Sequence, residues 1–165
     1  MRSQCAIASQ NLPQFLKSVN QSFYESTDEG SYATLFFGDY QDSTRRLRFA
    51  NCGHNPPFLV RTDGTTERLA ATATVLGLFE EWECSICDVQ IALGDVLVIY
   101  TDGITEANNF AGEEFGENRL LETIQAHLAL PVPLILDAIL TAALEFSGGE
   151  GKMRDDLTLV IARGR

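Results

Sequence analysis

The sequence predicts an α+β fold in which largely antiparallel sheets pack together and helices lie outside them. Three observations carry this expectation. Tight-turn signals recur between short apolar runs, and hairpin turns mean antiparallel pairing. Val96 to Tyr100 is apolar at every position and Leu157 to Ala162 nearly so. Strands apolar on both faces must be covered on both faces. Amphipathic stripes at helical spacing supply the covering layer.

The elements follow in order. Leu12 to Tyr24 reads as a helix, because Phe15, Leu16, Val19 and Phe23 form one apolar stripe and Pro13 suits a first turn. Tyr32 to Tyr40 reads as a strand, with Arg46 to Asn51 as its partner across a polar turn. Pro57 to Arg61 and Thr66 to Leu69 flank Asp63-Gly64, where glycine supplies the positive φ of a tight turn. Cys84 to Ala92 and Val96 to Thr101 read as a further hairpin around Gly94-Asp95. Asn118 to Leu128 and Leu134 to Phe146 read as helices, on Leu120, Leu121, Ile124 and Leu128, then Ile135, Ile139, Ala142 and Phe146. Three glycines between 148 and 151 break the chain before a last strand, Leu157 to Ala162. No repeat, low-complexity tract or linker interrupts the 165 residues, which suit one domain.

Composition narrows the function. An apolar content of 45% permits a buried core. Twelve basic against 23 acidic residues give −11, a charge that repels phosphate backbones and anionic membranes, so nucleic acid is not the expected partner. No apolar run reaches the roughly 18 residues of a membrane span; Leu128 to Leu136 contains Pro131 and Pro133 and stops at Asp137. No signal peptide opens the chain, so a cytoplasmic location is expected. The cysteines are Cys5, Cys52, Cys84 and Cys87. Cys84 and Cys87 form C-x-x-C, but zinc needs further ligands, and in a strand-like stretch i and i+3 face opposite ways. They are read as reduced, half-buried thiols.

The residues that could carry chemistry sit at strand ends. Asp102-Gly103 directly follows the apolar strand 96–100, and Asp155-Asp156 directly precedes the strand 157–162. If these strands are antiparallel neighbours, the acids meet at one end of the sheet. Clustered carboxylates there repel one another unless a cation neutralises them, and hard oxygen donors favour Mg²⁺ or Mn²⁺. The competing reading is that both pairs are polar turns. His54, after Gly53 in a loop, suits a proton donor or phosphate contact, and equally a structural residue that hydrogen-bonds the loop. Asn55 and Pro56-Pro57 read as loop stiffening, Glu106 as a solvated or outer carboxylate. Trp82 reads as a surface-loop anchor that could also help dock a partner.

Taken together, Tyr32-Ala33-Thr34-Leu35-Phe36, Asn51-Cys52-Gly53-His54-Asn55-Pro56-Pro57, Gly94-Asp95, Tyr100-Thr101-Asp102-Gly103-Ile104-Thr105-Glu106, Phe115-Gly116 and Asp155-Asp156-Leu157-Thr158 resemble the bacterial metal-dependent protein phosphatases of the PPM type. More narrowly, the chain is similar to their sporulation-stage-II-E branch, which includes stress-response sigma-factor regulators. The motifs occur in family order from about residue 2 to the C-terminus. The resemblance implies an α-β-β-α sandwich and hydrolysis of phosphoserine or phosphothreonine on a regulatory protein. It also implies two Mn²⁺ or Mg²⁺ ions, about 4 Å apart, that activate a water. By carry-over Asp102 and Asp155 are metal ligands, Gly103 shapes the backbone beside them, Asp156 lies near the site, and His54 is the candidate catalytic histidine.

The family also carries metal ligands further towards the amino terminus, in a Gly-Asp segment and an Asp-x-x-Gly-His-Gly turn. Neither occurs here, and the first acidic residue is Glu25. Residues 1–11 read as the tail of the helix after that turn, so residues 1–165 are expected to be a partial domain without its amino-terminal strands. Met1 then reads as an internal methionine of a longer frame. Two rim carboxylates alone hold Mg²⁺ weakly, and missing strands leave edges unpaired. The expectation is marginal folding, self-association, or dependence on another segment; a homodimer could supply the missing ligands. The enzyme reading therefore competes with a non-catalytic interaction module on a phosphatase scaffold. A metal-dependent phosphodiesterase is a third option, which the charge disfavours.

Overall fold

A computed structural model describes residues 11–149 and 156–165. Cys5, most of the expected helix tail at 1–11, and Asp155 lie outside them. The described elements are α1 (Leu12–Ser26), β1 (Leu35–Gln41), β2 (Arg46–Cys52), β3 (Phe58–Val60), β4 (Thr66–Arg68), β5 (Cys87–Gln90), β6 (Val96–Tyr100), α2 (Asp102–Thr105), α3 (Gly116–Ala126), α4 (Val132–Ser147) and β7 (Leu159–Arg163). The fold is α+β with antiparallel sheets, as expected. The chain divides into two compact units, one of Met1–Pro56 with Ala70–Ile91, the other of Pro57–Leu69 with Ala92–Arg165.

In the first unit, β1, β2 and β5 form an antiparallel sheet in that order. Helix α1 starts where Asn11 accepts a hydrogen bond from the Gln14 N–H and Pro13 occupies its first turn. Its stripe buries Leu12 and Leu16 with Ala50 and Cys52 of β2, Leu76 and Trp82. Trp82 is not the surface anchor the sequence suggested. It is 2% exposed, and its indole N–H donates to the Thr74 carbonyl at 3.1 Å.

Asn20 is buried on the same helix. It accepts from the Gly77 N–H (2.9 Å) and donates to the Phe79 carbonyl (3.0 Å). Asn20→Ala would strand both backbone groups. We expect it to cost about 1–3 kcal/mol in urea unfolding. A loss below about 0.5 kcal/mol, the range of neutral surface changes, would contradict that role.

In the second unit the sheet order is β4-β3-β6-β7, antiparallel throughout. Phe58, Val60, Val96, Val98 and Tyr100 face Leu120 and Ile124 of α3 and Ile135 and Ile139 of α4. Leu59 and Leu97, on the opposite face of the same strands, are buried too. The expected double cover therefore holds for β6. It does not hold for β7, where Leu159 and Ile161 pack on the core but Val160 is 50% exposed. No helix among the described residues is long and apolar enough to cross a membrane.

One expected pairing is overturned. The runs around Gly94-Asp95 do not form a hairpin with each other: β5 pairs with β2, and β6 pairs with β3 and β7. Both hydrogen-bonding edges of β6 are thereby occupied. The turn hands the chain from one sheet to the other, and the buried Asp95 holds it by accepting from the Ala92 N–H and from Arg61.

Candidate functional site

The β6–β7 register decides where the acidic pairs go. Tyr100 is opposite Leu159, so the residues after β6 and before β7 share one end of the sheet. The ladder continues by one further pair: the Thr101 N–H donates to the Thr158 carbonyl (3.1 Å), and the Thr158 N–H donates to the Thr101 hydroxyl (2.9 Å). The chain then turns at once into α2, a single helical turn for which the sequence offered only the reading of Asp102-Gly103 as a polar turn. The Thr105 hydroxyl and the Glu106 N–H both donate to the Asp102 carbonyl, closing it.

Gly103 is buried against the segment that leads into β7. A Cβ there would lie 2.5 Å from the Asp156 carbonyl oxygen and 3.2 Å from its carbon. Only a residue without a side chain allows this approach. The structure thus brings Asp102, Gly103 and Asp156 together, with both carboxylate residues exposed; Asp155 is outside the described residues.

A network that the sequence analysis missed holds the end of β6. The buried Tyr100 hydroxyl donates to Glu117 Oε1 at 2.7 Å, and Arg68 pairs with Glu117 Oε2. The Tyr100 ring stacks on Phe58 (5.4 Å between centroids), over which the Arg68 guanidinium sits at 5.0 Å. Burial alone pushes the Glu117 carboxyl up, but the hydrogen bonds from Tyr100 and Arg68 and the Arg68 charge outweigh it and leave it below the usual carboxylate range. Burial first, then Glu117, pushes the Tyr100 hydroxyl up. A depressed carboxyl stabilises the fold above its unfolded value of about 4.3, and that contribution is lost as pH falls through the folded value. Glu117→Gln should therefore lower stability at neutral pH and flatten the acid limb of a stability-versus-pH curve. An unchanged acid limb would remove Glu117 from this role. The only advance signal was its place directly after Phe115-Gly116.

His54 belongs to the first unit. Its N–H donates to the buried Asn51 Oδ1 (2.8 Å), and its Nδ1 meets the Thr34 hydroxyl (3.3 Å). Gly53 before it has φ +70°, and its absent Cβ would fall 2.6 Å from Val75 Cγ1. The cysteines Cys52, Cys84 and Cys87 are free. A hydrogen bond between Cys52 and Cys84 pushes the Cys52 thiol up and the Cys84 thiol down.

The donors at the β6–β7 end are carboxylate and backbone oxygens. His127, the one histidine of that unit, lies after α3 with Nδ1 on the Thr123 carbonyl. An oxygen-only set fits a hard divalent ion rather than a soft one. Among the described residues no group of three or more His, Cys, Asp or Glu side chains is placed to hold a metal.

A family model described as "Stage II sporulation protein E (SpoIIE)" matches residues 2–165. The chain is 34% identical over 151 residues to "Protein IcfG" of Synechocystis, covering 89% of this chain and 24% of that protein. It is 27% identical over 152 residues to "Phosphoserine phosphatase RsbU" of Bacillus subtilis, covering 91% of this chain and 44% of that protein. It thus spans less than half the length of either relative. Among solved structures, the SiaA-PP2C domain of Pseudomonas aeruginosa matches with TM-score 0.77 at 22% identity, over 90% of this chain and 59% of that one. The catalytic domain of the serine/threonine phosphatase PstP, in complex with two manganese ions, matches with TM-score 0.67 at 18% identity, over 92% of this chain and 69% of that one. At these identities the structural likeness shows the shared fold.

Proposed function

The chain belongs to the stage II sporulation protein E (SpoIIE) family, and from that premise we propose that residues 1–165 form part of a metal-dependent protein serine/threonine phosphatase domain. The observation that supports the reading is the β6–β7 pairing, with Gly103 packed against Asp156, so that the residues after β6 and before β7 share one end of the sheet. A relative named as a phosphoserine phosphatase supports the reaction, and a neighbour that holds manganese supports the cofactor.

In this proposal Asp102 and Asp155 hold the ion, Mn²⁺ or Mg²⁺. When bound, the metal supplies Lewis-acid stabilisation of phosphoryl oxygens and acidifies a water. The chain's own residues do the positioning. The Thr101–Thr158 pair locks the two strand ends in register. Gly103 lets α2 lie directly on the backbone at Asp156. The Tyr100–Glu117–Arg68 network holds β6 where it turns into Asp102. Asp156 stands near the ion without holding it. His54 keeps its loop in place through Asn51 and Thr34, the structural one of the two roles its position allowed. The substrate is a phosphorylated regulatory protein in the cytoplasm, and a chain of charge −11 is unsuited to nucleic acid.

The test is Mn²⁺-dependent hydrolysis of an aryl phosphate, with EDTA-treated protein as control and Mn²⁺ binding followed by calorimetry. Hydrolysis that appears with Mn²⁺ and vanishes with EDTA supports the reading. Folded protein that neither binds Mn²⁺ nor hydrolyses the ester would favour the interaction-module alternative. His54→Ala should cost less than about tenfold in kcat, whereas a proton donor is worth about 10²–10⁴; a loss of that size would reassign His54 to proton transfer.

A further inference from the structure

Loop 74–82 of the first unit is pinned to its neighbours at several points, yet it turns two large apolar side chains outward. Leu76 exchanges both backbone hydrogen bonds with Ala33, at 2.8 and 3.0 Å. Gly77, at φ +83°, sits where a Cβ would lie 2.2 Å from the Phe23 ring. The Asn20 amide grips the loop on both sides of Leu78, and the buried Trp82 closes it on Thr74. Between these anchors Leu78 is 39% and Phe79 51% exposed.

Two tyrosines extend the apolar surface. Tyr24 follows Asn20 by one helical turn and so shares its face. Tyr32 lies directly before Ala33, which forms an isolated antiparallel bridge with Leu76; both tyrosines are exposed. Burying a Leu or Phe side chain is worth about 1.5–3 kcal/mol. A loop free to rearrange would turn these residues inward. Here a buried asparagine, itself costly to desolvate, is spent on holding the loop the other way round. Gly77 lies against Phe23 and the Ser31 carbonyl, next to Tyr24 and Tyr32 in sequence, so the four exposed apolar side chains come from segments held against one another, and apolar side chains grouped on a surface mark interaction sites.

The rim fixes the sign of the partner. Glu25, Asp28, Glu29, Glu80 and Glu81 are all exposed on the segments that build the patch. No lysine or arginine occurs between Lys17 and Arg45, or between Arg68 and Arg119. An apolar centre within a one-sign rim repels nucleic acid and anionic membranes, and steers a complementary protein surface.

We propose that the Tyr24–Tyr32–Leu78–Phe79 surface docks a protein segment whose apolar side chains are flanked by lysine or arginine. The surface uses none of the residues assigned to the metal, so it can bind whether or not the chain is catalytically active.

The probe is a fluorescein-labelled 14-residue peptide with Leu and Phe on one helical face and Lys on the other, compared with its Glu-for-Lys counterpart by anisotropy on the full chain. The Lys peptide should bind, more tightly at low salt, and the Glu peptide should not. Leu78→Ser with Phe79→Ser, and separately Glu80→Lys with Glu81→Lys, should each weaken binding at least about tenfold. All four positions are exposed, so cooperative urea unfolding should persist in both variants. Glu122→Lys, an exposed acid of α3, is the remote control and should leave binding unchanged. Equal weakening by Glu122→Lys would reduce the effect to net charge and overturn the proposal. So would binding that survives the loss of Leu78 and Phe79.

Discussion

Asp102→Asn is expected to reduce Mn²⁺-dependent hydrolysis by at least about a hundredfold while leaving the fold intact. A bound divalent ion supplies several kcal/mol of transition-state stabilisation, and each 1.36 kcal/mol is about tenfold in rate. Asparagine keeps the size of the side chain and one oxygen but cannot offset the cation's charge, so ion occupancy falls with it. Structurally the change is mild. The Asp102 side chain is exposed, and its backbone carbonyl, which closes α2, is untouched. Exposed substitutions of this kind usually stay within about 0.5 kcal/mol. Calorimetry should therefore show weakened Mn²⁺ binding at an unchanged urea midpoint. Asp156→Asn, at a residue proposed to lie near the ion without holding it, should cost much less. If Asp102→Asn retained activity and Mn²⁺ affinity within a few-fold, Asp102 would not be a ligand and the metal centre would have to be sought elsewhere.

Both acidic pairs are visible in the sequence at the ends of apolar runs. The apolar run 96–100 with Asp102-Gly103 behind it, and the run 157–162 with Asp155-Asp156 ahead of it, share a sheet end only if the two strands are antiparallel neighbours, a condition the sequence leaves open. The antiparallel register Tyr100 to Leu159 delivers it. Local signals such as the Asp63-Gly64 turn and the Pro13 helix start were legible because one or two residues dictate the backbone there. The failures were non-local. The partner of β5 is β2, some 40 residues earlier in the chain, and no turn chemistry around Gly94-Asp95 encodes that choice. The burial of Trp82 depends on a neighbouring loop and helix rather than on the adjacent Glu80-Glu81. The Tyr100–Glu117–Arg68 network joins three segments of the chain, and spacing alone cannot join them. The open face of β7 was missed for a related reason, since Val160 is apolar in sequence but lies on an edge strand.

Gly103→Ala is the sharper test, because the usual reasons for needing glycine do not apply. Gly103 is not among the glycines with positive φ. It lies inside α2, where alanine is favoured over glycine by about 1 kcal/mol. Propensity thus predicts stabilisation, and only packing opposes it. The added Cβ would meet the Asp156 carbonyl oxygen at 2.5 Å, its carbon at 3.2 Å and Leu157 Cα at 3.6 Å. All three are backbone atoms and cannot rotate aside as a side-chain tip would. Either α2 or the strand lead-in must move, and overpacking of this kind typically costs about 1–3 kcal/mol. The same movement separates Asp102 from the segment that carries Asp155, and a displacement of about 1 Å in a catalytic constellation can cost about 10²-fold. We therefore expect Gly103→Ala to lose both urea stability and Mn²⁺ affinity. Gly112→Ala separates this effect from ordinary glycine strain: Gly112 has φ +81° with no atom within 4 Å of its missing Cβ. It should lose about 1 kcal/mol from the left-handed backbone alone and leave Mn²⁺ binding unchanged. A Gly103→Ala chain as stable as the parent would mean that α2 does not lie on Asp156, and the shared carboxylate edge would fall with that contact.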